Sequence, residues 1–453
     1  MKHYINRLML FAAMTAAAVA GNAQHTASGY FVDEYTYRYQ MNPALGNERG
    51  FVTIPAIGNL NMGVHGNLHL NSVLYNVDGR TTTFMNPAIS AATVMGNLHD
   101  VNRIGTSENI TLLAAGFKAF GGYNTLTIGA RLDVDAHLPK SIFSLLKEGV
   151  RNTTYDISDL GVYGNAYAEL ALGHSHNINK NLRVGGALKV LIGGGNVKAN
   201  LRDARLTLGE NDWTITTDAD IMASVKGLSY KTTINNHTGH TYVDGVDVDD
   251  SGINGVGIAF DLGAEYITPV KGLTVSAAFL DLGFISWKNN MLASTDGVKT
   301  FHTDRYTFNP DDTFDNEWDK MRDDLSAIYE LEDMGDQGGR TAGLHATMNV
   351  GASYELPVYR KLQFGLLNTT RIGGDYSWTD FRLSANVAPC RAFSAGVNMS
   401  AGTYGMGFGW LLNLHVTGFN FFLGMDRMPG KLAKQGVPLN SNMAVNLVMN
   451  VLF

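Results

Sequence analysis

The chain ends in the stretch NSNMAVNLVMNVLF, residues 440–453, and this stretch decides the expected fold. In an extended strand, successive side chains point to opposite faces. One face of this strand carries only apolar residues: Met443, Val445, Leu447, Met449, Val451 and Phe453. The other face mixes asparagine with smaller or apolar residues: Asn442, Ala444, Asn446, Val448, Asn450 and Leu452. One side can therefore face hydrocarbon while the other tolerates water.

A strand of a soluble sandwich could show the same pattern, but three features favour a membrane. The run is close to the ~10 residues that a tilted strand needs to cross a bilayer. It ends on Phe453, and such a terminal aromatic residue resembles the signal by which bacterial outer-membrane barrels are recognised for insertion. The pattern recurs upstream, most cleanly over 342–355, where Met348 lies on the apolar face and Asn349 on the polar one. The sequence predicts an all-β fold, a transmembrane antiparallel β-barrel in the bacterial outer membrane.

Turn lengths indicate the number and orientation of the strands. Short turns at 268–272, 356–361 and 388–391 alternate with long polar segments around 135–159, 195–252, 285–340 and 426–440. Because barrels have short periplasmic turns and longer outer loops, we expect the long segments outside the cell. About fourteen strands are predicted, in a range of about twelve to sixteen. The range depends on whether 199–208 and 213–223 cross the membrane or form a loop hairpin.

The beginning of the chain predicts export. Lys2 and Arg7 precede an apolar run over 8–20, and the small residues that end at Ala23 are typical of a cleavage site. The predicted organisation is a signal peptide over 1–23, an N-terminal plug segment over 24–47 and the barrel over 48–453. An acidic outer-loop insertion occupies about 285–340 of that barrel.

The predicted plug segment is too aromatic for a free tail and too irregular for a spanning strand. It contains Tyr30, Phe31, Tyr35, Tyr37 and Tyr39, followed by Met41, Asn42, Pro43 and Ala44. An aromatic N-terminal stretch that ends in Asn-Pro-Ala before a barrel resembles the FadL-type long-chain fatty-acid transporters, in which such a segment plugs a fourteen-stranded barrel. The resemblance implies that the plug residues are Tyr35, Tyr37, Tyr39, Asn42, Pro43 and Ala44.

A second motif extends this resemblance. The sequence LDLGFISW, residues 280–287, is similar to a signature of uncharacterised Bacteroidetes outer-membrane barrels. Those barrels are related to the fatty-acid transporters and to the shuttle barrels of type IX secretion. The chain departs from the transporters in its large acidic insertion.

The acidic run over 304–336 predicts an amphipathic helix in an outer loop. Its apolar residues recur at helical spacing and would pack on the barrel rim: Trp318, Met321, Leu325, Ile328 and Tyr329. Calcium is the alternative, since it takes several carboxylate oxygens, but clustered acids more often form a solvated face. A second acidic run around Asp244 has Ile258 where a calcium loop needs a bidentate glutamate. No metal or cofactor is therefore expected.

Other groups of residues in the sequence do not indicate a catalytic site, a phosphate-binding loop, a disulfide framework or a nucleic-acid-binding surface. Ser353 with His345 could be a fragment of a hydrolytic site, but no nucleophile motif accompanies them, so an enzyme is not expected. Gly185 and Gly186 lack the lysine of a phosphate loop and indicate strand bends or places where a plug approaches the wall. The single cysteine, Cys390, excludes an internal disulfide framework. The formal charge of -7 argues against nucleic acid as a partner.

Two functions from different classes fit these features. The first is uptake or passage of a small, hydrophobic molecule, which calls for an apolar pocket between plug and wall with a few polar anchors. The second is a protein-partner barrel without transport activity, either a secretion shuttle or a surface scaffold, with a filled lumen and exposed apolar patches on its loops. The expected partners are outer-membrane lipid, the barrel-assembly machinery and a hydrophobic small ligand, and a monomer is expected.

Overall fold

The computed structural model describes residues 27–55, 58–149, 151–209, 212–234, 239–250, 252–302, 331–428 and 443–453. Its strands, in chain order, are β1 (Phe51–Thr53), β2 (Asn59–Gly66), β3 (Leu74–Val77), β4 (Arg80–Thr83), β5 (Val101–Ala119), β6 (Gly122–Pro139), β7 (Thr153–Asp156), β8 (Gly161–Asn177), β9 (Leu182–Leu208), β10 (Asp212–Val225), β11 (Leu228–Ile234), β12 (Thr241–Val248), β13 (Gly255–Ile267), β14 (Leu273–Trp287), β15 (Met291–His302), β16 (Glu332–Asp336), β17 (Arg340–Gly343), β18 (Ala346–Glu355), β19 (Leu362–Ile372), β20 (Trp378–Cys390), β21 (Phe393–Gly402), β22 (Gly405–Val416), β23 (Phe419–Arg427) and β24 (Met443–Leu452).

Within this part of the chain, fourteen antiparallel strands close into a barrel, which confirms the predicted fold. Two of the fourteen are interrupted, because β1 and β2 together form one strand of the wall and β17 and β18 form another. The ring continues from β2 through β5, β6, β8, β9, β13 and β14, and then from β18 to β24. At the seam β24 pairs with β1 and β2, and Gly50 and Phe453 exchange two backbone hydrogen bonds of 3.0 Å.

The wall has an apolar outer face and a polar inner face. In β24, Asn446 and Asn450 are fully buried toward the lumen, whereas Val451 is 49% exposed on the outside. In β18, Asn349 is 3% exposed and its neighbour Val350 is 46% exposed. The predicted facing of both strands is confirmed. This alternation suits a barrel whose outside contacts hydrocarbon and whose lumen is polar.

The two ends of the barrel differ in the length of their connections. At the short-turn end the strands are joined over 120–121, 178–181, 268–272, 356–361, 391–392 and 417–418. At the long-loop end the chain makes long connections after β2, β6, β9, β14 and β23. The three short turns named in the sequence analysis all lie at the short-turn end. Two further short connections, 373–377 and 403–404, lie at the long-loop end, where only long segments were predicted.

One strand continues beyond the wall into an outer sheet. The 27 residues of β9 pair with β13 over 182–193 and with β10 over 195–208. Strand β10 pairs in turn with β15, β16 adds to β15, and β7 adds to the end of β9. Residues 199–208 and 213–223 are therefore part of an outer hairpin and not additional strands of the wall. Strands β11 and β12 form a separate hairpin.

The predicted acidic helix falls mainly on 304–330, outside the described residues, and so does its apolar stripe. The described end of the run is Glu332–Asp336, which forms strand β16, so the helix prediction is wrong there. The edge of β15 offers unpaired backbone groups to an extended chain. Strand β16 pairs with this edge of β15: Glu332 lies opposite Ser294, and Asp336 lies opposite Met291.

The connection after β2 folds into a small cap at the long-loop end. It contains the helices Leu70–Val73 and Ala91–Gly96 and the β3–β4 hairpin, and it packs against the helix Lys140–Glu148. Their apolar core comprises Leu68, Phe84, Ile89, Val94, Leu98 and Phe143. No described helix is long and apolar enough to cross a membrane.

Candidate functional site

The N-terminal segment, residues 27–47, runs into the barrel as a series of tight turns. Backbone hydrogen bonds between residues three apart recur along it, as in Tyr35 to Val32 (2.9 Å) and Gln40 to Tyr37 (3.0 Å). Such turns point successive side chains in different directions. Its aromatic side chains are buried against the wall: Tyr30, Phe31, Tyr35, Tyr37 and Tyr39.

The three predicted tyrosines each bind a polar group of the wall. The hydroxyl of Tyr35 donates to Asn446 Oδ1 (3.1 Å). Tyr37 donates to Asn450 Oδ1 (3.0 Å) and also contacts Thr53 Oγ1 (2.7 Å). Tyr39 pairs with Thr127 Oγ1 (2.8 Å). A buried phenol needs such partners, and burial raises the pKa of all three tyrosines, so they stay neutral hydrogen-bonding groups.

Asn42, Pro43 and Ala44 make the closest approach of the segment to the wall. Asn42 Nδ2 donates to the Ala264 carbonyl (3.2 Å), and Asn42 Oδ1 accepts from the Ala44 backbone N–H (3.0 Å). A Cβ at Gly185 would clash with the Pro43 carbonyl oxygen, and one at Gly263 would clash with Asn42 Oδ1. Only glycine fits at these two wall positions. At Gly185 the structure shows a close approach of the segment, one of the two alternatives that the sequence left open.

The segment contacts opposite sides of the ring. Besides β1, β6, β13 and β24, it contacts β5 through Gln40 and β18 through Asn349, whose Nδ2 donates to the Met41 carbonyl (2.8 Å). At its beginning the backbone N–H groups of Ala27 and Ser28 donate to the two carboxylate oxygens of Asp426 in β23 (2.7 and 3.0 Å). The structure therefore brings all six predicted residues into the lumen, held by strands far apart in sequence.

A cavity of about 990 Å³ borders the segment at the short-turn end. Charged side chains of both signs line it: Asp33, Glu34, Arg38, Glu48, Arg49, Lys118, Arg183, Glu265 and Arg391. Arg38 and Asp33 of the segment form an ion pair of 2.6 Å at this face.

A smaller cavity, of about 70 Å³, borders the segment on its other side, toward the long-loop end. We call it the upper cavity. Ala27 and Met41 contribute from the segment, and strands from around the ring contribute charged groups: Glu108, Arg131, Asp133, Asp281, Arg371, Asp380, Arg382 and Asp426. Apart from Asp281, which lies in the motif at 280–287, no sequence pattern marks these residues, because alternation alone does not show which inward-facing charges converge.

Next to the upper cavity, Lys189 forms ion pairs with two carboxylates. Its Nζ lies 2.7 Å from Asp261 Oδ2 and 2.6 Å from Asp281 Oδ1. Asp281 has a left-handed backbone (φ 59°), and its N–H donates to Asp261 Oδ1 (2.8 Å). The pairing of β13 with β14 shifts here, which marks a β-bulge that turns Asp281 toward the lumen. The LDLG motif therefore encodes an inward-turned aspartate in the wall.

Further ion pairs continue around the ring. Arg371 binds Asp133 (2.9 Å), and Asp380 is shared by Arg382 (3.0 Å) and Arg427 (2.7 Å). Buried charges of this kind must be paired to be tolerated. The inner wall at this level is thus a ring of paired charges.

The candidate hydrolytic fragment is not assembled. His345 and Ser353 are eight residues apart along one run of wall, which separates them by roughly 25 Å in extended chain. Among the residues that the structure describes, no group of three or more His, Cys, Asp or Glu side chains is placed to hold a metal ion.

A family model described as "Family of unknown function (DUF5723)" matches residues 43–426, from Pro43 of the Asn-Pro-Ala motif to Asp426 in β23. The chain belongs to this family. The matched region contains most of the wall, the bulge at Asp281 and the paired charges of the lumen. No curated protein matches the sequence.

Several solved structures of barrel proteins align with this family member over nearly the whole chain. The P. putida toluene transporter TodX is 8% identical, with a TM-score of 0.39, over 95% of this chain and 94% of that chain. A Pseudomonas aeruginosa FadL homologue is 8% identical, with a TM-score of 0.40, over 95% and 96%. The translocator domain of the autotransporter NalP from Neisseria meningitidis is 8% identical, with a TM-score of 0.32, over 99% and 97%. At these scores the likenesses carry no argument about function.

Proposed function

We propose that this protein is an outer-membrane β-barrel that passes a small molecule, and that its N-terminal segment is the plug that closes the lumen. The observation that carries the proposal is the position of the segment. One stretch of chain binds strands on opposite sides of the ring and borders a different cavity on each of its two faces.

The location in the outer membrane is supported by the closed ring and by its apolar outer face. Exposed apolar side chains recur along the strands of the wall, among them Val256, Leu262, Val350, Leu366, Leu383 and Val397. A belt of apolar side chains is stable in contact with lipid and unstable in contact with water. Assembly as a monomer by the barrel-assembly machinery remains a prediction.

The residues that line the lumen indicate whether the transported molecule is hydrophobic or polar. The sequence analysis predicts a hydrophobic molecule held in an apolar pocket. The cavities that border the segment are instead lined mainly by polar and charged side chains, which supports a polar molecule. A hydrophobic cargo stays a prediction, and native mass spectrometry of the purified barrel would detect a retained apolar molecule.

Removal of the segment tests the proposal. A variant that lacks residues 24–40 should still insert, because no strand of the wall is removed. It should carry a steady ion current in planar lipid bilayers, whereas the intact protein stays nearly closed.

The control is a variant that lacks residues 229–247 of the β11–β12 hairpin, which lies outside the wall. Its current should match that of the intact protein. Equal currents through the intact protein and the variant without residues 24–40 would contradict the plug and the passage that it closes.

A second candidate, the surface scaffold, is favoured by the β11–β12 hairpin. Ile234, Val246 and Val248 are exposed there although they belong to no lipid-facing strand. Exposed apolar patches of this kind mark interaction surfaces. A photo-crosslinking residue at position 246 should give one discrete adduct in intact cells, and the same residue at lipid-facing position 256 should not.

A further inference from the structure

We infer that the upper cavity is a binding site for a small zwitterion, a molecule with one carboxylate and one ammonium group. The site lies in the lumen, between the N-terminal segment and the ring of paired charges. Naming its ligand as the transported molecule rests on the proposed function, whereas the binding site itself does not.

The first support is a set of buried hydrogen-bond donors on one wall of the cavity. Trp378 Nε1, Arg371 Nε and Arg382 Nε each carry a buried N–H without a hydrogen-bond partner among the described residues. All three residues line the upper cavity, and they lie on the neighbouring strands β19 and β20. A buried donor without a partner is energetically costly, so three on neighbouring strands favour a ligand with acceptor oxygens.

The second support is an acceptor on the next strand of the wall, β18, which pairs with β19. Asn349 is almost fully buried and lines the same cavity, and its Oδ1 has no partner among the described residues. Its Nδ2 already donates to the Met41 carbonyl, which fixes the orientation of the amide. Asn349 Oδ1 is therefore available to an N–H donor of the ligand.

The third support is the charge of the lining. It contains five carboxylates, namely Glu108, Asp133, Asp281, Asp380 and Asp426, and three guanidinium groups, namely Arg131, Arg371 and Arg382. Lys189 and Arg427 pair with two of these carboxylates from outside the lining, so the site presents groups of both signs and favours neither a simple anion nor a simple cation. The unpartnered donors still favour a ligand with oxygen acceptors. A zwitterion meets both conditions, with its carboxylate at Trp378 and its ammonium near Asn349 and the aspartates.

The volume limits the size of the ligand. A water-sized sphere needs at least about 10–15 Å³ of such space, so a cavity of about 70 Å³ holds about five heavy atoms. Glycine has that size and that charge distribution.

Four molecules of equal size test whether binding depends on the charges of the ligand or only on its shape. Glycine is the zwitterion, glycinamide carries only the positive charge in mildly acidic buffer, glycolate only the negative charge, and glycolamide none. Ligand-observed saturation-transfer NMR with the purified full-length barrel should show glycine binding at least about fivefold more tightly than each of the others. Equal or tighter binding of glycolate or glycolamide, or no binding of glycine, would overturn the inference.

Trp378→Phe tests the place of binding, because it removes the indole N–H and keeps an aromatic ring. Glycine should bind about fivefold more weakly to this variant. The matched control is Trp410→Phe, because Trp410 lies opposite the outward-facing Val397 and away from the lumen. Equal glycine affinity of the two variants would place the site elsewhere. This binding test uses the intact barrel, so it can succeed or fail independently of the conductance test of the plug.

Discussion

At the scale of single residues, buried ion pairs organise the lumen. Lys189 is the clearest case, since its side chain is 4% exposed and lies between Asp261 and Asp281. Taking one partner out of a buried ion pair leaves an uncompensated charge, which costs much more than losing a surface pair. The stability of this part of the wall therefore depends on the lysine more than its single charge suggests.

Lys189→Met should lower the free energy of unfolding by about 3–5 kcal/mol, because two carboxylates lose their shared cation. Urea unfolding in lipid vesicles measures the effect. Lys180→Met, in the exposed turn over 178–181, is the control and should change stability by less than about 0.5 kcal/mol. A loss as small in Lys189→Met as in the control would mean that Lys189 does not hold these carboxylates.

The sequence predicts only some of these residue contacts. The aromatic residues before Asn-Pro-Ala pointed to Tyr35, Tyr37 and Tyr39, because so many rings in an irregular stretch must be buried somewhere. The partners of Lys189 could not be predicted, since they lie on β13 and β14 and their alignment depends on the strand register and on the bulge at Asp281. The motif at 280–287 was informative only as a resemblance, and it did not show that Asp281 turns toward the lumen.

At the scale of the strand, the alternation of side chains assigns each residue to lipid or to lumen. Val350 lies near the middle of the ten residues of β18 and faces outward, while its neighbour Asn349 faces inward and binds the N-terminal segment. The inward position is therefore not a free surface. A bulky residue at Asn349 would displace the segment instead of projecting into water.

Val350→Arg should lower the free energy of unfolding by about 2–4 kcal/mol, because it places a charge near the middle of the hydrocarbon. Tyr354→Arg, on the same outward face but next to the turn over 356–361, is the control and should cost about 0–1 kcal/mol. Urea refolding in vesicles compares the two variants. A larger loss for Tyr354→Arg would show that this strand sits at another depth or does not cross the bilayer.

The alternation of apolar and polar residues does not show where a strand leaves the barrel wall and continues into the outer sheet. Residues 195–208 of β9 keep the same period as the part of the strand within the wall, so the sequence left open whether they cross the membrane. The pattern reports that two faces differ, but an outer sheet packed on a helix also has two different faces. Leu206 and Leu208 belong to the apolar core that includes Leu145 of the helix Lys140–Glu148, which explains why they resemble membrane residues.

At the scale of the whole molecule, the ring is held shut by its last strand. β24 pairs with β23 on one side and with β1 and β2 on the other, and Phe453 is hydrogen-bonded to Gly50 while its ring stays largely exposed. The exposed ring contributes little to a packed core. Its role as an insertion signal remains a prediction.

Phe453→Asp should lower the amount of heat-modifiable barrel in the outer membrane without reducing export, because the terminal aromatic signal is lost. Phe453→Trp keeps an aromatic residue, so assembly should stay close to normal. Electrophoresis of unheated and heated outer-membrane fractions measures both variants. Normal assembly of Phe453→Asp would remove the role assigned to the terminal residue.

The contacts of the N-terminal segment also set the order of events during assembly. Tyr35 and Tyr37 are synthesised early, yet they bind Asn446 and Asn450, which lie 411 and 413 residues later. Contacts so distant in sequence cannot form until the last strand has arrived, since the intervening chain must first be ordered. The segment that is made first therefore reaches its native place last. In a pulse-chase experiment it should stay open to added protease until the heat-modifiable form appears.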